Sequence, residues 1–175
     1  DAAKEKDISG YTPLRIACEY GAPLEVVAAL LQVWPDAAKE KTRNGSTPLH
    51  IACECGAPLE VVAALLQIWP DAVKEKTHNG SMPLHLACHF GAPLEVVAAL
   101  LQVCPDASKE KDEDGYTPLH LSCRFGAPLE AVAALLEVWP DAVKEKSSRG
   151  NTPLHIACIN KAQVWPDAAK EKNED

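Results

Sequence analysis

Four His-x-x-Cys pairs stand along this chain: His50 with Cys53, His85 with Cys88, His120 with Cys123 and His155 with Cys158. Histidine and cysteine are zinc ligands, and a spacing of three residues puts both side chains on one face of a helix. A tetrahedral centre needs ligands that converge to about 2 Å from one point. Each pair supplies only two, and the pairs recur every 35 residues. Equivalent atoms of stacked helical units lie roughly 8–10 Å apart, too far to share a metal. The pairs therefore read as structural, and no metal or other cofactor is expected. The same distance exceeds the roughly 7 Å limit on Cα separation for a disulfide. Cys18, Cys53, Cys88, Cys123 and Cys158 all occupy that recurring slot. They read as small buried hydrophobes in a reducing compartment, the cytoplasm.

Nothing else in the chain assembles a catalytic set. Glu25, Asp36, Glu40 and their counterparts follow the repeat, and none pairs uniquely with a nucleophile. Catalysis needs a one-off convergent constellation. The glycines show no phosphate-loop spacing. The expectation is a protein that is not an enzyme.

The elements behind these residues repeat as well. The heptapeptide Thr12–Cys18 returns at Thr47–Cys53, Met82–Cys88, Thr117–Cys123 and Thr152–Cys158, each start 35 residues after the last. A fixed period of this length predicts a stacked all-α solenoid, whose units bury their apolar faces only against each other. The units run 7–41, 42–76, 77–111 and 112–146, with 1–6 closing a preceding unit and 147–175 an incomplete terminal one. In unit 42–76, Gly45 marks a turn and Thr47 caps a short helix with Pro48 at its first position. Gly56 ends that helix. A longer helix then runs from Leu59 to Trp69, opened by Pro58 and stopped by Pro70. Its only polar residues, Glu60 and Gln67, share one face, which leaves the rest to pack on both flanks.

Turn, short helix and longer helix, with Thr47-Pro-Leu-His-Ile-Ala52, Gly45, Gly56 and Leu59-Glu-Val-Val62, resemble the ankyrin repeat. The resemblance covers nearly the whole chain. It implies a helix-turn-helix solenoid, a histidine that hydrogen-bonds neighbouring backbone, and protein binding on a concave face of turn tips and first helices. Two features depart from the family. The usual period is about 33, and the extra residues fall at Ala57-Pro58 and in the Trp-Pro-Asp-Ala connector. The connector lacks the family's usual ending, which predicts an outer loop that is partly helical.

Units 7–41 and 42–76 are identical at 27 of 35 positions, so a specific task must lie where units differ. The differences gather at the turn, at the residue after the turn glycine and at the end of the first helix. In the first unit these are Ile8, Ser9, Tyr11, Glu19 and Tyr20, and in the second Arg43, Asn44, Ser46, Glu54 and Cys55. The third carries His78, Asn79, Ser81, His89 and Phe90; the fourth carries Glu113, Asp114, Tyr116, Arg124 and Phe125. The last has Ser148, Arg149, Asn151, Ile159 and Asn160. By the resemblance these positions line the concave face. All three tyrosines and both phenylalanines fall in them. Rings interleaved with Arg, Asn and Ser suit a protein-binding surface better than tolerant surface, which favours Lys, Glu or Ser. Cys55, the one cysteine in a variable slot, is either an exposed reactive thiol or a bystander.

Net charge is −8, so phosphate-backbone binding, which needs a basic footprint, is not expected. No run of about 18 apolar residues offers a membrane span. Trp34, Trp69 and Trp139 form a ladder read as packing between units; Cys104 takes the same slot in the third unit and predicts a void there. Met82 replaces the Thr cap, at about 1 kcal/mol. In the last unit the nine residues equivalent to 58–66 are absent, although Trp165 and its connector remain. Two readings stand there: a degenerate terminal repeat, or a missing stretch. The start at Asp1-Ala-Ala-Lys-Glu-Lys6 matches Asp36–Lys41 and looks like a cut within a longer array, whose exposed ends offer end-to-end self-association. The expected function is a protein-interaction module with an unidentified protein partner. The alternative is a structural or spacer array, consensus-like or engineered, with no specific ligand.

Overall fold

The computed structural model describes residues 4–8 and 10–164, with side chains through 160. Ser9, Trp165 and the rest of the final connector lie outside the described residues. Helices alternate short and long: α1 (Pro13–Glu19), α2 (Leu24–Val33), α3 (Pro48–Glu54), α4 (Leu59–Ile68), α5 (Pro83–His89), α6 (Leu94–Val103), α7 (Pro118–Phe125) and α8 (Leu129–Val138), followed by α9 (Pro153–Val164). No strand occurs among the described residues. Short helices pack on short helices and long on long, from unit to unit, which makes two layers with one continuous core between them. Among the described residues no helix is long and apolar enough to cross a membrane.

Local chemistry explains each boundary. Thr12 and Thr47 accept the amide of the third helical residue with their hydroxyls, and proline fills the first helical position throughout. Met82 offers no hydroxyl, and α5 starts without that cap. Pro58 sits one place earlier than its role as helix opener implies: it is the extended N-cap of α4 (φ −65°, ψ 159°), and Trp69 lies just past the helix end. The connectors Pro35–Lys39, Pro70–Lys74, Pro105–Lys109 and Pro140–Lys144 are 3₁₀ turns. The outer loop is thus helical in part, as its composition predicts. In the last unit α9 runs on from Pro153 to Val164, because no glycine follows Cys158 to end it and Lys161 continues the helix.

The recurring histidine joins one unit to the next. Its Nδ1 accepts the amide of the capping residue, from Thr47 at 3.2 Å, Met82 at 3.2 Å and Thr117 at 3.1 Å. That fixes the tautomer, because Nδ1 must be unprotonated and Nε2 carries the hydrogen. Nε2 then donates to a carbonyl of the following turn: His50 to Ser81 at 3.2 Å, His85 to Tyr116 at 3.2 Å, and His120 to Asn151 at 3.1 Å. All three rings are fully buried. Burial pushes the protonation of His50 and His85 down to about 4, against the partial support of the carbonyls they donate to. His120 is lowered for the same reason.

Two further ladders run parallel to this one. Turn tips pair through backbone, His78 donating to Asn44 (2.8 Å), Glu113 to Asn79 (3.1 Å) and Ser148 to Asp114 (2.9 Å). On the outer side Lys6–Glu40 (2.7 Å), Lys41–Glu75 (2.5 Å), Lys76–Glu110 (2.7 Å) and Lys111–Glu145 (2.8 Å) bridge successive connectors. These pairs are half exposed and each contributes little alone. Burial of Cys18 and Cys88 pushes both thiols up to about 12, so these cysteines serve as packing groups.

Removing one imidazole leaves an amide and a carbonyl unpaired in the core and opens a void. His50→Ala should cost about 3 kcal/mol in urea unfolding. Acid should weaken the fold along a defined course. Unfolded histidines take up protons below about pH 6.5, while His50 and His85 stay neutral down to about 4. Stability should therefore fall as pH drops through that window, by about 1.4 kcal/mol per pH unit for each of these two histidines. Denaturant midpoints at pH 7, 5.5 and 4.5 measure it, and His85→Ala should reduce the slope. Gly115→Ala should be far worse than Gly21→Ala. Both glycines have positive φ (+75° and +66°), but a Cβ at Gly115 would stand 2.6 Å from Ser148 N while Gly21 faces open space. The expected losses are about 3 and about 1 kcal/mol respectively.

Candidate functional site: the concave groove

Each short helix is only seven or eight residues long, and the two residues at its C-terminal end (Glu19 and Tyr20, Glu54 and Cys55, His89 and Phe90, Arg124 and Phe125) lie clear of the core. The stack aligns these ends into one row and the turn tips into a second, with a groove between. Two hollows occupy it. The first, of about 520 Å³, gathers Ile8, Tyr11, Glu19, Arg43, Glu54 and Cys55 with Arg15 and Ile51. The second, of about 340 Å³, gathers Glu54, Ser81, His89, Phe90, Tyr116, Arg124 and Phe125 with Asp112, Asp114, Leu86 and Leu121. Asn44 and Glu54 line both, so the two hollows adjoin and together run from the first unit to the fourth. Tyr20, His78, Glu113, Arg149 and Asn151 line neither hollow. All of these but Asn151, which is half-buried, are exposed on the rim.

Three of the sequence-derived positions lie deeper than the rest. Ser46, Ser81 and Tyr116 are buried, at 2%, 6% and 8% exposure. The residue after the turn glycine tucks beneath the preceding unit, where at Ser81 and Tyr116 its carbonyl accepts the imidazole bond. Its side chain therefore packs into the stack and, at Ser46, Ser81 and Tyr116, walls the second hollow. Tyr116 is a wall against the His120 ring (centroids 5.8 Å apart) and no free anchor. Four of the five rings remain open to solvent: Tyr11, Tyr20, Phe90 and Phe125. Ile51, Leu86 and Leu121, which the variable positions do not include, form the groove floor; the only sequence signal for them is an Ile/Leu alternation inside the fixed motif.

The rings are organised. His89 stacks on Phe125 at 3.8 Å and on Phe90 at 4.5 Å, a three-ring shelf across the third and fourth units. Arg124 stands over Phe125 (5.3 Å) and over Tyr116 (5.5 Å). At the other end Arg15, which replaces the ladder histidine, lies on Tyr11 at 3.4 Å and pairs with Glu19 at 3.2 Å. Partial burial and the nearby Arg124 hold His89 below the usual imidazole range, with Glu54 opposing them. The Cys55 thiol is exposed but raised, by partial burial first and by Glu54 and Glu19 next, so it is not an activated nucleophile. No group of three or more His, Cys, Asp or Glu among the described residues could hold a metal ion. Arg43, Glu54, Glu113, Asp114 and Arg149 form no ion pair among the described residues, so both signs of charge stand free around the rings.

A search of curated proteins returned no match to this chain. A family model for ankyrin repeats, in three copies, matches residues 1–74, 67–146 and 84–166. With capped helix pairs, buried imidazole ladder and stacked turns all in place, the chain belongs to the ankyrin-repeat family.

Proposed function

We propose that this chain is a protein-interaction module that holds an extended segment of a protein partner along the concave groove. Ankyrin repeats are in general protein-binding units. The observation that carries the finer reading is the placement of Tyr11, Tyr20, Phe90 and Phe125, exposed rings in a repeat whose fixed positions contain neither residue type. Anchors of this kind supply area with few rotatable bonds, and free charges of both signs around them supply register. The stack is pre-formed, so little ordering cost falls on binding. The histidines that would serve an enzyme are committed to unit-to-unit bonds, and we assign no catalysis. Nor do we assign a nucleic-acid or membrane partner, given the net charge of −8. The thiol packing suits the cytoplasm.

Peptides selected from a displayed library against the whole chain test this reading. Such peptides should bind with micromolar Kd and lose at least about tenfold when Tyr20, Phe90 and Phe125 are all changed to Ser, since each buried ring is worth about 1 kcal/mol or more. Circular dichroism should show unchanged helix content. Selected peptides that bind both proteins equally would place the binding surface elsewhere. A library that yields no binder would favour the spacer array.

A further inference from the structure

The third unit breaks the repeat's fixed framework at Met82, where the other four units have Thr, and at Cys104, where the other described units have Trp. The two positions are 22 residues apart in sequence, and the fold brings both to one hollow of about 420 Å³ on the outer side, away from the groove. Its lining follows the register of the tryptophan ladder. The backbone at Cys104 (φ −144°, ψ 87°) matches that at Trp69 and Trp139 (φ −143°, ψ 86°), so the Cα–Cβ bond leaves in the same direction. Trp34, Trp69 and Trp139 lie half-buried against the core. The hollow therefore opens beside the position from which an indole leaves the backbone elsewhere in the stack. A void is expected at Cys104 from the loss of the indole, and the hollow there is open to solvent.

Its chemistry suits a flat neutral ring. Met82 and Cys104 bring two polarisable sulfurs beside Ala107, and sulfur makes favourable contacts with aromatic rings. Met82 is only 2% exposed, so its side chain is already packed and the hollow remains. Lys74, Lys76, Asp106 and Glu110 border the hollow, and Asp106 is paired with Lys109 at 2.7 Å. The ammonium groups of Lys74 and Lys76 are held by Asp71 (2.8 Å) and Glu110 (2.7 Å), which leaves no net charge seeking a counter-ion. We propose that this hollow is a binding site for a small planar aromatic of indole size, whose ring replaces the absent tryptophan.

Indole itself is the probe, titrated into the whole chain and followed by amide chemical shifts. Saturable shifts confined to the neighbourhood of residues 74–82 and 104–110 are expected, with a Kd of about 1 mM set by the few atoms of the ring. Cys104→Trp should fill the space, raise Tm by about 3–5 °C and abolish those shifts. Cys104→Phe, a smaller filler, should weaken them at least about threefold and checks the result if the larger residue distorts the unit. The site is wrong if the folded wild-type chain gives no saturable shifts up to the solubility of indole. It is equally wrong if the shifts persist unchanged in both filled variants, or if both lower Tm.

Discussion

No unit of this chain can bury its own two apolar flanks, and the bond that carries one unit onto the next is the imidazole bridge. Each ring ties the cap of its own short helix to a carbonyl 31 residues ahead. The bridge is made in the core, where an unpaired amide or carbonyl costs far more than the bond gains in water. It therefore specifies register as well as adding stability: a unit rotated or shifted along the stack would leave both partners unsatisfied. The turn-tip amides and the outer Lys–Glu pairs follow that register at spacings of 34 residues.

Once the histidines, threonines, glycines and long-helix leucines are committed to stacking, freedom is left only at the edges. The short helix ends after seven or eight residues, and the two residues at that end of each, such as Glu54 and Cys55, lie clear of the core. Variation there leaves the core untouched, which is why these slots differ while the frame stays nearly constant. The groove is the result of that division. The backbone beneath it is bonded on both sides, and its chemistry is set chiefly by exposed side chains above a packed floor of Ile51, Leu86 and Leu121.

The third unit shows what happens when the frame itself changes. Loss of the Thr cap and loss of the tryptophan would each weaken a unit standing alone. Because neighbours hold both flanks, the helices keep their bounds and the backbone keeps its angles. The missing volume stays as a hollow and does not collapse. A solenoid tolerates such a defect locally, since each unit answers mainly to its nearest neighbours.

Much of this was legible in the residues alone. The Thr-Pro start, the glycine stop, the proline after the tryptophan and the 35-residue interval are local signals, and they place the helices, the stack and the family. The partly helical outer loop was legible too, from the departure of the connector. What the residues could not show is depth and adjacency. Tyr116 looks like an anchor by type and position, yet it is a wall, because the preceding unit covers it. Ile51, Leu86 and Leu121 look like core but floor the groove. Met82 and Cys104 look like unrelated exceptions but border one hollow. Periodicity reports which way a side chain leaves its own helix. What it meets there comes from chain about 20 to 35 residues away, and only the stacked units decide that.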